Sequence, residues 1–527
     1  MRENYLKYEE GYIKKKWTGR LPIALVFPEK YEIAMSNLGF LSLYESLNRF
    51  EEIVAERFFF EEEIRSLESN RPLKDFPLIL YSIPFEGSYI RALQILIKSG
   101  ISLDPQERKE TVLGGGVALW ANPEPLAPFF DGFILGEWEA LEEKITPLFI
   151  EYGYNKKKLL FELNKFDFFY SPLHFGRKRV RILKILPPER PLLSKLLSEK
   201  AEFGKSYLLE VSKGCGRACR FCLAGFIYRP PRVYPLEKLL ERVEEIPENS
   251  KVGLIGLDFV DKEEILLIGK KLLEKKVTLT FSSIRLDALR EEFLKLLATT
   301  RSIAIAPETA SIKLKRIINK EIPEEEIFNT LERLKKTPIK KVKFYFMLGL
   351  PFEEENDIIA TAQFVGELLK RKYPFNFTFS FSFFVPKPHT PFQWADFEDL
   401  TTLEKKKKLL LKILPFVKGV KIESLRECFL QALLARGDIA LKDFLLSLAM
   451  GKSLKMALRE MKNLENYLKP RKDKDYPFPW DFIDTGVSKD FLFREWERAL
   501  RGEISPCCRV GKCKACSACK GLKLFSS

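Results

Sequence analysis

The sequence predicts an α/β protein: two successive runs of strands and helices, then a helical region and a cysteine-rich tail. Three observations carry this prediction. Short apolar runs ending at Gly or Pro alternate with helically spaced segments from Leu21 to about residue 150, and again from about 206 to 395. Such alternation implies parallel sheets covered by helices. Residues 400–470 keep helical spacing throughout, and eight of the nine cysteines fall into two tight groups. The expected divisions are 1–150, a connector 151–205, a second α/β unit 206–395, a helical unit 396–500 and a tail 501–527.

With 527 residues the chain has room for several domains, and 46% hydrophobic residues supply their cores. Grouped cysteines signal metal sites in a reducing compartment and argue against a disulfide framework. The charged opening Met1-Arg2-Glu3-Asn4 does not resemble a secretory signal. No apolar run is long enough to cross a bilayer, so the expected location is the cytoplasm, with no membrane partner. The net charge of +15 has two readings. One is a surface for phosphate backbones; the other is the Lys-rich surface of a thermophile, which abundant Lys, Glu and Phe with only six Met also fit.

In the first run, Ile23–Phe27 reads as a buried strand ending at Pro28, and Leu78–Ile83 as another ending at Pro84. Val112-Leu113 runs into Gly114-Gly115-Gly116, and Gly132–Gly136 closes the set. The result is a doubly wound, Rossmann-like sheet, which binds ligands at the carboxyl ends of its strands. Three glycines there serve either a close backbone approach to a ligand or a tight turn. The connector contains Leu186-Pro187-Pro188, suited to an extended crossing. Its basic run Arg177–Arg181 is a charge-guarded edge strand or part of a polyanion-binding face.

The second run offers strands at 207–211, 252–257, 277–282, 302–306, 341–347 and 376–385, six βα units of an incomplete parallel barrel. After the first strand comes Gly214-Cys215-Gly216-Arg217-Ala218-Cys219-Arg220-Phe221-Cys222. Three thiolates in a C-x3-C-x2-C loop suit an iron–sulfur cluster or zinc. Zinc would need a fourth ligand, and neither His174 nor His389 is close in sequence. A structural knuckle or a set of buried thiols is the plain alternative. His389, in a proline-rich loop after the sixth strand, is either a proton carrier or a structural residue. In the tail, Cys508, Cys513, Cys516 and Cys519 make a full set of four thiolates for zinc or a second four-iron cluster, with Cys507 spare. Cys428 reads as a small apolar residue in a helix core.

The C-x3-C-x2-C loop, with an aromatic residue before its last cysteine, resembles the signature of the radical SAM superfamily. That resemblance implies a partial (β/α)6 barrel and a [4Fe–4S] cluster on Cys215, Cys219 and Cys222. Its open iron would bind S-adenosylmethionine (SAM), which an electron from the cluster cleaves to a 5′-deoxyadenosyl radical. It further implies SAM contacts at Ser282, Arg285, Glu308, Arg316 and Gly349. Phe27-Pro28, Tyr31-Glu32-Ile33, Gly114-Gly115-Gly116, Asn122-Pro123-Glu124-Pro125 and Gly136-Glu137 resemble the cobalamin-binding-like domain found ahead of many such cores. Relatives commonly place a histidine where this chain has Asn37, and an amide is a poor ligand for cobalt.

With Tyr228-Arg229-Pro230, Ile318-Asn319-Lys320 and the cysteine tail, the chain is similar to a family of uncharacterised radical SAM proteins with that front domain. The resemblance implies modification of an unactivated carbon, with cobalamin-dependent methylation as one form. The basic balance points to RNA or a ribosome-associated protein as substrate, and flavodoxin or ferredoxin would be the electron donor. Methylthiotransferase-like sulfur insertion is the enzymatic rival. An iron–sulfur nucleic-acid-binding or assembly protein is the non-enzymatic one.

Overall fold

A computed structural model describes residues 3–186, 189–257, 263–281, 291–415, 417–461, 464–511, 513 and 515–519. The front sheet has six strands: β1 (Leu21–Phe27), β2 (Ile53–Phe59), β3 (Leu78–Ser82), β4 (Thr111–Gly115), β5 (Gly132–Ile134) and β6 (Phe169–Tyr170). Their order is β2-β1-β3-β4-β5-β6, parallel except for β6. Every residue of β1 is buried, as a continuous apolar run at the middle of a parallel sheet requires. The strand order reverses between β1 and β3, so the crevice beyond their carboxyl ends is where such a sheet takes a ligand.

Helices α1 (Leu38–Leu47), α2 (Tyr89–Lys98), α3 (Val117–Ala121) and α4 (Trp138–Tyr152) cover this sheet. Ile23 and Leu25 share one core with Leu41, Ile145 and Phe149. Val26 and Ile79, one residue out of phase, join Leu93 and Leu96 in a second core that continues into the rest of the molecule. Strand β2 is not foreseen from the sequence, because Glu56 and Arg57 interrupt its apolar run. The fold accommodates Arg57, which is fully buried, by pairing it with Glu9 at 2.7 Å and Glu68 at 2.6 Å.

The second unit has β7 (Tyr207–Glu210), β8 (Lys251–Ile255), β9 (Thr278–Phe281), β10 (Ser302–Glu308), β11 (Lys341–Leu348) and β12 (Asn376–Phe383). A seventh strand not expected from the sequence, β13 (Val420–Ile422), adds beside β12. All neighbours are parallel, in two groups, β7-β8-β9 and β10-β11-β12-β13. No ladder joins β9 to β10 among the described residues; Thr299 and Thr300 bridge them through the backbone of Leu279 instead. The described residues thus form two separate ladders and no closed barrel. Phe344 and Phe346 of β11 pack on Phe364, which places the helix layer outside them. Alternation turns Lys343, Tyr345 and Met347 to the lumen.

Between the cysteine loop and the tail lie α5 (Ala224–Ile227), α6 (Glu355–Lys370), α7 (Leu400–Ile413), α8 (Leu425–Arg436) and α9 (Lys489–Leu500). Helix α7 crosses from β12 to β13, and the helix Lys442–Ala449 that follows α8 packs on the front domain through α2. No helix among the described residues is long and apolar enough to cross a membrane. Buried polar contacts join the front unit to the second α/β unit and to the helical region. Arg232 makes a bidentate pair with Glu137, both bonds 2.7 Å, and Asn122 Nδ2 donates to the carbonyls of Ala435 and Gly437. The basic run in the connector is an edge: Val180-Arg181 pairs with Ile483-Asp484, and Arg177 pairs with Glu124.

Candidate active site

The cysteine loop is a closed arch. Ser212-Lys213, just after β7, pairs antiparallel with Arg232-Val233, tying its two feet together. Gly214 turns out of the ladder at φ +74°, and a Cβ there would stand 2.7 Å from the Tyr228 carbonyl oxygen, so only glycine fits. The Cys222 N–H donates to the Cys219 carbonyl at 3.1 Å, which curls the x2 turn. Burial, with Cys219 beside it, pushes the Cys222 thiol up to about 11. A metal bound here would displace that proton. Among the described residues no three Cys, His, Asp or Glu side chains already stand within one coordination shell. The fit to a cluster rests on the donor set: three soft sulfurs on one short arch, with one corner left for another ligand.

Glu308 ends β10 in the left-handed region, φ +68°, and forms a 2.6 Å pair with Lys320. Both are buried, and both act electrostatically on Cys222. Gly349, after β11, is also left-handed at φ +75°. Its N–H donates to Glu353 at 2.7 Å, and a Cβ would meet Leu403 at 2.6 Å. Burial pushes Glu353 up to about 7, with Lys406 opposing. Arg316 is committed elsewhere: its Nε donates to the Gly502 carbonyl at 3.0 Å, in the approach to the tail. Ser282 and Arg285 lie outside the described residues. His389 is buried at the seam, with Nε2 3.1 Å from the Ala121 carbonyl oxygen and its ring against Trp480. Burial lowers its pKa to about 3, so at neutral pH it is an uncharged structural imidazole.

A cavity of about 560 Å³ opens between the carboxyl ends of the two sheets. One wall is the α1 entry and the glycine turn after β4; the other is β7, the foot of the cysteine arch and Tyr228. This volume lies in the range of small-molecule and cofactor sites. Two buried polar atoms of its lining, Trp120 Nε1 and Ser212 Oγ, have no hydrogen-bond partner among the described residues. Leaving such atoms unpaired is costly, so they mark places where a ligand would supply a partner.

The three glycines divide the work. Gly116 sits at φ +112° against the Ile83 backbone, and Gly114 packs on Leu119 and Phe133. Gly115 alone has ordinary clearance, 3.6 Å to its nearest neighbour. Asn37 also lines the cavity, but its Oδ1 caps α1 by accepting the Phe40 N–H at 2.9 Å. Neither Trp120 nor Ser212 is marked by a sequence pattern; only adjacency to Gly116 and to the cysteine motif points to them.

The tail returns to the arch. The Cys508 N–H donates to the Gly216 carbonyl at 2.6 Å, and Arg217 Nη1 donates to Cys507 Sγ at 3.6 Å. Cys513, Cys516 and Cys519 lie close enough for their charge to act on Cys508. Cys428, in contrast, is buried in α8.

Two parallel-stranded units facing each other across a cavity, with three cysteines on the arch after the first barrel strand, define the class. The family model for the radical SAM superfamily matches residues 209–365, and that for the N-terminal region of radical SAM proteins matches residues 39–172. The chain belongs to the radical SAM superfamily and is an enzyme of it, which implies a [4Fe–4S] cluster and SAM. More particularly, it is 31% identical over 462 residues to an uncharacterised protein of Methanocaldococcus jannaschii, covering 86% of this chain and 97% of that one.

A tRNA-2-methylthio-N6-dimethylallyladenosine synthase of Thermotoga petrophila is 23% identical over 168 residues, 29% of this chain and 38% of its own. Among solved structures, the radical SAM methyltransferase TsrM of Kitasatospora setae, with cobalamin and a [4Fe–4S] cluster bound, superposes with a TM-score of 0.51. It shares 11% identity over 92% of this chain and 100% of that one, a likeness of fold.

Proposed function

We propose that the protein is a cobalamin-dependent radical SAM methyltransferase acting on an unactivated carbon. The observation that carries this is the cavity between the two sheets, bounded on one side by the front domain's ligand crevice and on the other by the cysteine arch. A [4Fe–4S] cluster would supply the electron that splits SAM, and methylcobalamin a transferable methyl group. In this reading Cys215, Cys219 and Cys222 hold the cluster, and Glu308, steadied by Lys320, accepts hydrogen bonds from SAM. Ser212 Oγ and Trp120 Nε1 orient the bound cofactor, while Leu80, Leu113 and Ile134 exclude water. Position 37 is an amide whose oxygen already caps α1, so the front loop would offer a cobalamin no imidazole ligand.

The net charge of +15 supports RNA or a ribosome-associated protein as substrate. Flavodoxin or ferredoxin would donate the electron. The four tail cysteines would hold zinc or a second cluster. The deciding experiment is anaerobic reconstitution with iron, sulfide and hydroxocobalamin, then mass spectrometry of SAM products and of RNA and ribosomal protein fractions. Stoichiometric cobalamin uptake and a methylated product are expected. A chain that takes up cluster but no cobalamin would overturn the reading. One observation favours a second reading, sulfur insertion: the tail thiols lie against the arch. A methylthio increment in place of a methyl one would decide for it.

A further inference from the structure

The tail does more than lie near the arch; it is bonded into it. Arg220, between the second and third cysteines of the arch, is fully buried. Its guanidinium donates to the Glu503 carbonyl at 2.7 Å and to Ser505 Oγ at 3.0 Å, and pairs with Glu495 of α9 at 3.3 Å. Asn319 makes the second tie. Its Nδ2 donates to the carbonyls of Ala218 and Ser505, and its Oδ1 accepts the Ser505 N–H at 2.8 Å. The Cys508 N–H bond to Gly216 completes the seam.

The segment beyond Ser505 has no helix or strand among its described residues, and apart from Cys516 its described residues are half-exposed or exposed. Its order comes from polar contacts: Ser488 N–H to the Cys516 carbonyl, Arg494 to the Ala515 carbonyl, and the Ala515 N–H to Cys513 Sγ at 3.4 Å. Cys513, Cys516 and Cys519 lie near Cys508 without three of the thiols meeting in one coordination shell among the described residues, so a metal ion would have to draw this coreless segment together.

We propose that Cys508, Cys513, Cys516 and Cys519 form a second, four-thiolate metal site whose filling clasps the Gly214–Cys222 arch in its working shape. The clasp rests on the reading of that arch as the seat of the first cluster. Filling the tail fixes Cys508 and hence the Gly216 carbonyl, while Ser505, three residues earlier, holds Arg220 and Asn319 on the arch. The chemistry is that of four soft thiolates, and zinc and an iron–sulfur cluster are the two species that satisfy it.

The test uses the full chain, purified anaerobically, with iron, sulfide and zinc counted in the wild type, the double variant Cys516→Ser/Cys519→Ser, Asn319→Ala and Cys507→Ser. The wild type is expected to carry, beyond the first cluster's iron, either zinc or a second complement of iron and sulfide. The double variant should lose only that addition, and Cys507→Ser should keep it. A chelator challenge then reads the clasp. Iron should leave the first cluster about ten-fold faster in the double variant, and also in Asn319→Ala, which keeps the tail metal but loses a tie. A wild type without the additional metal overturns the second site. Additional metal with unchanged iron loss in both variants overturns the clasp. A wild type with no iron–sulfur absorption overturns the reading of the arch itself.

Discussion

Single residues of one type have opposite fates here, decided by surroundings. Cys215 lies on the arch, whereas burial and nearby Glu423 push the Cys428 thiol up to about 12 and make it inert. Cys215→Ala is therefore expected to abolish 5′-deoxyadenosine formation from SAM, and Cys428→Ala to leave it unchanged, both read by chromatography. His389 makes a pH prediction. In the unfolded chain its imidazole binds a proton near 6.5, and in the folded protein only near 3. Between these values the unfolded chain holds more protons, so stability falls as pH drops through that window and is unaffected above it. The urea midpoint of the wild type should fall more between pH 7 and pH 5 than that of His389→Gln. Equal slopes would mean that the imidazole is solvated.

At the scale of elements, the turn from β4 into α3 shows how a strand end becomes a binding edge. A methyl group on Gly116 would lie 2.5 Å from the Ile83 carbonyl oxygen on a backbone disfavoured for any side chain, whereas one on Gly115 meets nothing closer than 3.6 Å. Gly116→Ala should lower stability by more than about 1 kcal/mol. Gly115→Ala should leave the melting temperature nearly unchanged and weaken ligand uptake by the cavity. Calorimetry and cobalamin titration of both variants separate the two effects. The apolar strands β1, β3, β4 and β7 to β12 are legible in the sequence because each is a short apolar run ended by Gly, Pro or polar residues. β2 was not, since Arg57 is tolerable in a fully buried strand, here at the sheet edge, only with Glu9 and Glu68 supplied from other parts of the chain. The three-residue β13 carries too little pattern to announce itself.

Across the whole molecule, one continuous core runs from the front sheet through the barrel to the helices behind it. Thermal unfolding of the two α/β units should therefore be coupled. The Glu137–Arg232 pair crosses the seam at the cavity floor; burial alone would raise Glu137, but Arg232, with Lys213 nearby, holds it below the usual carboxylate range. Arg232→Leu leaves that carboxylate buried and unpaired, at a cost of about 3–5 kcal/mol. The double replacement Glu137→Met/Arg232→Leu should recover much of the loss, and denaturant titration of the three proteins measures it. A single variant as stable as the wild type would show that the seam is not load-sharing.

The sequence by itself determined the class of protein, because a thiolate loop at the end of a buried strand is a local pattern written in consecutive residues. It also determined both α/β units, since apolar periodicity reports which faces must leave water. Only the tertiary structure decided what the remaining groups do. It turned Arg316 to the tail, made Asn37 a helix cap and His389 a neutral seam residue, and left Ser212 and Trp120 facing a cavity. It also brought Cys508 to the Gly216 carbonyl across nearly three hundred residues of chain. The physical reason is that a side chain's role follows from its partners, and partners far apart in the chain are chosen by packing that no local pattern records.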